Sequence, residues 1–133
     1  MTDSAQVFGG SCLCGAVQFR VEAPTLWCAH CHCTMCQRAH GAAFVTWVGA
    51  AENRITIDDS MLLWHSSSDK AERGFCRSCG SSIFFRSERW PGEVHVTRAN
   101  FHGDIDREPQ AHVFFDTHVA WFPITDELPR TLP

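Results

Sequence analysis

"GSCLCGAVQFRVE", residues 10–22, runs a cysteine pair, a glycine and an alternating segment together. Val17, Phe19 and Val21 fall on one face, and Gln18, Arg20 and Glu22 on the other. That period of two predicts a half-buried strand over Ala16–Glu22. The plan returns at "GFCRSCGSSIFF", residues 74–85: a cysteine pair, a glycine, then an apolar strand. Gly15 and Gly80 each follow the second cysteine of their pair. A tight metal-binding turn needs positive φ there, which glycine adopts without strain. The repeated plan therefore predicts strands that spring from metal-clipped turns.

The rest of the chain agrees with a β reading. Short strands rich in Val, Ile, Phe, Thr and Trp are predicted at Thr25–Ala29, Ala43–Val48, Ile55–Ile57, Met61–His65, Ser82–Arg86, Glu93–Thr97 and His112–Phe115. Only Thr34–His40 reads as a helical turn. With 133 residues, 44% of them hydrophobic, the expectation is one mainly β domain over 1–133 with its core at about 8–125.

Eight cysteines call for either disulfides or metal. The opening MTDSAQVFGG has no basic start and no apolar run of signal length, which points to a cytoplasmic, thiol-reducing setting and so to metal. The net charge of -4 and the single lysine, Lys70, leave no basic patch, which argues against a nucleic-acid ligand. No apolar stretch is long enough for a membrane span.

The cysteines sort into three groups. Cys12 and Cys14 with Cys76 and Cys79 give four thiolates, enough to close a structural zinc site. The stretch "CAHCHCTMC", residues 28–36, holds Cys28, Cys31, Cys33 and Cys36. Three of these sulfurs leave a metal with an open position; all four close it. Spacing alone leaves both arrangements standing. A further reading keeps Cys28 as a core thiol on a strand. His32, between two cysteines on an extended segment, should point away from them.

The order CxC (12–14), CHCxxCQ (31–37) and FCxxCG (75–80) resembles the glutathione-dependent formaldehyde-activating (GFA) family, whose superfamily includes the centromere protein V domain. The likeness runs from "GSCLCGAVQF" through "CHCTMCQRAHGAAFVTWV" and "RGFCRSCGSSIFF" to "PQAHVFFDTHVAW". It implies a β-tent of curled antiparallel sheets stabilised by two zinc ions. Cys12, Cys14, Cys76 and Cys79 would hold the structural ion. Cys31, Cys33 and Cys36 would hold the catalytic one, its fourth position open to water or a thiol. Cys28 lies outside the motif. The implied activity is that of a carbon–sulfur lyase, with glutathione as cosubstrate and formaldehyde or another small electrophile as partner.

Within that scheme a proton donor is needed for the developing alkoxide, and His112 in "PQAHVFF" is the candidate, with His40 behind it. Arg38 and Gln37, beside the cluster, are candidate contacts for the cosubstrate and for a ligating sulfur. Arg73 and Arg86 flank the last cysteine pair. One face of the strand after the cluster, either Phe44 and Thr46 or Val45 and Trp47, is expected to wall a pocket. The competing reading is a non-catalytic zinc module for a protein partner, which four sulfurs on the second metal would favour. A zinc-ribbon nucleic-acid binder and a redox sensor built on Cys28 are the remaining alternatives.

Overall fold

The computed structural model describes residues 6–131. Ten strands follow in chain order: β1 (Val7–Ser11), β2 (Gln18–Glu22), β3 (Trp27–Cys31), β4 (Val45–Ala51), β5 (Ile55–Asp58), β6 (Leu62–Ser68), β7 (Ala71–Cys76), β8 (Ser82–Ser87), β9 (Glu93–Thr97) and β10 (His112–Val113). A single α-helix, α1 (Thr34–His40), lies between β3 and β4. Three strands form one sheet in the order β1-β2-β5; the other seven form a second, β10-β3-β4-β9-β8-β7-β6. Pairing is antiparallel except for the two-residue β10–β3 contact, which is parallel. The mainly β, antiparallel expectation holds. Among the described residues no helix is long and apolar enough to cross a membrane.

The two sheets share one core. Val17, Phe19 and Val21 are buried while Gln18, Arg20 and Glu22 are exposed, as alternation requires. Phe19 meets Phe84 of the large sheet edge-on at 5.6 Å and Phe101 at 5.0 Å. Val48, Val96 and Ile83 complete the contact, each with no exposed surface. Gly10 on β1 lets these parts approach: a Cβ there would overlap the Phe19 ring and the backbone of Asn100 and Phe101. Gly10→Ala is expected to cost about 1–3 kcal/mol, the usual toll of overpacking, read as a lower urea midpoint with unchanged slope.

Two strands escaped the sequence reading. β1 carries Gly9 and Gly10, and β7 (AERGFC) mixes charge with Gly74, so neither shows β propensity. β7 is nonetheless internal to its sheet, paired on both sides. The strand expected at Thr25–Ala29 sits two residues later. Cys12–Gly15 is a turn rather than an extended run, closed by the Gly15 N–H on the Cys12 carbonyl at 3.2 Å.

The pleat of β3 gives the large sheet two distinct faces. Cys28 and His30 project to one side; Trp27, Ala29 and Cys31 project to the other. On the first side Cys28 joins Val48, Val94 and Val96 in the shared core. On the second, the register sets Trp27 opposite Gly49, Gly49 opposite His95, His95 opposite Phe85 and Phe85 opposite Arg73. One transverse row of side chains thus runs across β3, β4, β9, β8 and β7.

Candidate metal centres and active site

Two groups of sulfurs are close enough to share a metal ion: Cys12, Cys14, Cys76 and Cys79, and separately Cys31, Cys33 and Cys36. All eight cysteines are free thiols. Sγ–Sγ separations are 3.7 Å for Cys12–Cys14, 3.8 Å for Cys14–Cys76 and 3.6 Å for Cys31–Cys36. Zinc–sulfur bonds of about 2.3 Å at tetrahedral angles put the sulfurs about 3.8 Å apart, so both groups fit that metal. A disulfide would need about 2.05 Å.

In the four-sulfur group, two turns supply two ligands each. Gly15 (φ 84°) and Gly80 (φ 82°) both occupy the left-handed region, as their place after the second cysteine predicts. The Val17 N–H donates to Cys12 Sγ at 3.3 Å and the Ser78 N–H to Cys76 Sγ at 3.4 Å. Such bonds favour thiolates. The group ties the turn after β1 to the β7–β8 turn, so it links the small sheet to the large one.

The three-sulfur group is built differently. Cys31 ends β3. Cys33 caps α1, its sulfur accepting from the Cys36 N–H at 3.3 Å, and Cys36 follows inside the helix. Gly41 closes the helix with φ 62°, leaving it seven residues long. Trp47 Nε1 donates to Cys36 Sγ at 3.4 Å, and Arg73 Nη2 lies 3.6 Å from the same sulfur. Hydrogen bonds from Cys31 and Cys36 hold the Cys33 thiol down to about 2, while the same bonds push Cys31 up.

Cys28 is not the fourth ligand. It lies three residues before Cys31 on the same strand, and an odd step turns the two sulfurs to opposite faces. Its side chain is fully buried in the shared core. Burial pushes its thiol up to about 11. A neutral, enclosed thiol is a poor nucleophile, which removes the feature on which the redox-sensor reading stood. His32 points away from the sulfurs on either side of it, as expected.

The triad opens on a cavity of about 600 Å³. Cys31, Cys33 and Cys36 line it together with Trp47, Phe85, Arg73 and Arg89. Arg73 stacks on Phe85 at 4.9 Å, and its Nη1 is buried with no hydrogen-bond partner among the described residues. Arg89 spans the rings of Trp90 and Phe114 at 4.8 and 5.4 Å. Neither guanidinium has a carboxylate partner among the described residues. Asp69 lines the same cavity.

The other candidates lie elsewhere. His112 is buried on the opposite face of the sheet and does not line the cavity. Its Nδ1 is 2.8 Å from His32 Nε2, and its Nε2 is 3.0 Å from both Asp126 oxygens. Backbone bonds from His112 to Pro129 and Thr131 fasten the C-terminal segment at that point. Gln37 gives its amide to the His32 and Thr117 carbonyls at 2.7 and 3.0 Å, so it braces the cysteine loop and leaves the sulfurs alone. Arg38 is exposed on α1, outside the cavity. His40 packs edge-on against Trp47 at 5.4 Å, and burial drives its pKa to about 4. Arg86 stacks on Trp64 and pairs with Glu72. Of the residues expected to wall a pocket, Val45 and Trp47 pack with the triad, whereas Phe44 joins the histidines behind the sheet. Trp27, Phe85, Arg89, Trp90 and His95 line the cavity and were not foreseen. Only the alternation of β8 and β9, with Phe85 and His95 out of phase with Phe84 and Val96, hinted at them.

A cysteine-rich β domain with one closed four-sulfur group and one three-sulfur group under a cavity defines a class of protein with two candidate metal centres. The family model described as "Glutathione-dependent formaldehyde-activating enzyme" matches residues 7–117, and the chain belongs to that family. A Halomonas elongata protein that carries the same family name is 30% identical over 129 residues, covering 86% of this chain and 79% of the relative. An uncharacterized lyase of Schizosaccharomyces pombe is 31% identical over 80 residues, 59% of this chain and 56% of the relative. The crystal structure of a Rhodobacter sphaeroides protein superposes with a TM-score of 0.64 at 24% identity, covering 92% of this chain and 99% of that one. The family expected from the cysteine motifs is the family found.

Proposed function

We propose that the protein is a zinc-dependent carbon–sulfur lyase-type enzyme that joins a thiol, glutathione foremost, to an aldehyde and catalyses the reverse cleavage. One observation carries the reading: three sulfurs rather than four come together beside the cavity, and Cys28, which borders the same cavity, packs its side chain into the core shared by the sheets. Cys31, Cys33 and Cys36 would hold the zinc, which when bound would supply the chemistry that lowers the pKa of a substrate thiol.

The chain's own groups do the rest. Trp47, Arg73 and the Cys36 N–H donate to the ligating sulfurs and spread their charge. Arg73 and Arg89 match the two carboxylates of glutathione, and Asp69 matches its ammonium. The Arg73 guanidinium lines the cavity with Nη2 beside Cys36, where its positive charge would face negative charge developing on the aldehyde oxygen. The thiol loses its proton, a C–S bond forms to the carbonyl carbon, and the oxygen takes up a proton from solvent at the cavity mouth. No oxidant or reductant enters the balance. We route that proton through solvent because the His112 ring lies behind the sheet.

The competing reading, a closed zinc clip for a protein partner, needs a fourth sulfur that the triad lacks. The test is exchange NMR on glutathione and formaldehyde with zinc-loaded protein at catalytic concentration. Wild type should speed exchange into the hemithioacetal above the uncatalysed rate. Arg73→Met should lower the acceleration about 10²-fold, the scale for losing one oxyanion donor. No acceleration by wild type over a panel of thiols and aldehydes would overturn the lyase reading.

A further inference from the structure

We propose that the electrophile this enzyme handles carries an aromatic ring or an apolar group of similar size, and that the ring seats in a box formed by Trp27, Phe85, Trp90 and His95. The reaction rests on the lyase reading; the binding rests on the cavity alone. Formaldehyde is of the order of a water molecule in size, whereas a cavity of about 600 Å³ is in the range that encloses drug-sized ligands. Glutathione is polar over its whole length and asks for charges, which Arg73, Arg89 and Asp69 provide at the walls. Neither substrate explains the ring-lined end.

The box follows from register. Trp27, Gly49, His95 and Phe85 stand side by side on β3, β4, β9 and β8. Gly49 is the device that shapes it: a Cβ there would overlap the Trp27 indole, so the missing side chain lets that ring lie across β4 toward His95. Trp27 Nε1 is then anchored to Glu93 Oε1 at 3.1 Å, and His95 Nε2 meets the same oxygen at 2.9 Å. Trp27 meets His95 edge-on at 4.6 Å, Trp90 lies 5.4 Å from His95, and Phe85 lies 5.7 Å from His95 and 6.2 Å from Trp90. These are the separations of rings in contact with one another, so the four form one continuous aromatic wall, and all four line the cavity, where a further ring can pack against that wall.

The box adjoins the chemistry through Phe85. That ring is 6.1 Å from Trp47, which donates to Cys36, and it carries Arg73, whose other face reaches the same sulfur. A ring held against Phe85 would have its aldehyde group within reach of the sulfur triad and the Arg73 guanidinium, which line the same cavity. The step balances as before: the thiol S–H is lost, C–S forms, and the carbonyl becomes an alcohol bearing the aryl group.

Binding of stable thioether mimics tests this without turnover. Zinc-loaded full-length protein is titrated calorimetrically with S-methylglutathione and S-benzylglutathione, and, to remove the peptide part, with the thioethers dimethyl sulfide and benzyl methyl sulfide. The benzyl compound of each pair should bind at least about tenfold tighter, the gain from burying one phenyl ring. Gly49→Ala, which displaces Trp27, and Trp90→Ala, which opens the box, should each remove most of that preference while zinc content per chain stays at the wild-type value. Equal affinities within both pairs, or a preference that survives both substitutions, would overturn the proposal. If neither formaldehyde nor benzaldehyde is turned over yet the benzyl preference and its loss in both variants are seen, the subsite stands and the lyase reading falls.

Discussion

Cys76→Ser should yield a chain that no longer unfolds in one cooperative transition. Cys76 has no exposed surface, ends β7, and places its sulfur 3.8 Å from Cys14, which is 62 residues earlier. A metal ion held by this group would join the β1–β2 sheet to the β7–β8 hairpin. Structural zinc contributes an apparent binding energy of about 10–16 kcal/mol in small domains, while whole-domain stability is only about 5–15 kcal/mol. Losing one of four thiolates removes a large part of that binding and leaves a serine hydroxyl enclosed beside the buried Cys12. The expected observations are lost near-ultraviolet circular dichroism, no sharp melting transition and at most one zinc per chain. A strong chelator added to wild type should reproduce them. A Cys76→Ser variant that melts cooperatively within a few degrees of wild type would show that the four-sulfur group does not hold the sheets together.

That group was legible in the sequence because its signals are local. Cys12, Cys14 and Gly15, and Cys76, Cys79 and Gly80, each lie within one turn, and both glycines adopt the positive φ that their position demands. Strand β2 was legible for the same reason: its alternation is complete within five residues. The helix Thr34–His40 matched to the residue, since Gly41 stops it. What stayed hidden depends on partners far along the chain. β7 contains Glu72, Arg73 and Gly74 and becomes a strand because β6 and β8 pair with both its edges. Gly49 lies just past the strand expected at Ala43–Val48, and its role, to admit the Trp27 ring, shows only in the sheet. Arg73 stood as one of several arginines until the β7–β8 register placed it opposite Phe85 and beside Cys36. His112, by contrast, drew notice from a motif, and the pleat turned it to the histidine cluster behind the sheet. Local chemistry was readable; the row of side chains across five strands was not, because register is set by the whole sheet.

The sharpest separation of readings comes from comparing Cys28→Ala with Cys33→Ala. The two residues are five apart in a cysteine-rich stretch, and spacing alone makes both plausible ligands. Parity on the strand divides them: Cys28 shares its face with His30, while Cys31 faces the cavity and Cys33 completes the triad from the cap of α1. Cys28→Ala should keep two zinc ions per chain and nearly full activity, at a stability cost of about 1 kcal/mol, the central value for a point substitution. Cys33→Ala should fall to one zinc per chain and lose all acceleration of thiol–aldehyde exchange, since two sulfurs do not retain the metal at its catalytic geometry. Its fold should persist, because the four-sulfur group and the shared core lie apart from α1. Elemental analysis with paired melting curves measures both. If Cys28→Ala loses a metal ion, the fourth position belongs to the protein, the site is closed to a substrate thiol, and the binding-module reading replaces the enzyme. If Cys33→Ala keeps both ions, the triad is not a metal site and the cavity above it must work by the thiols and Arg73 alone.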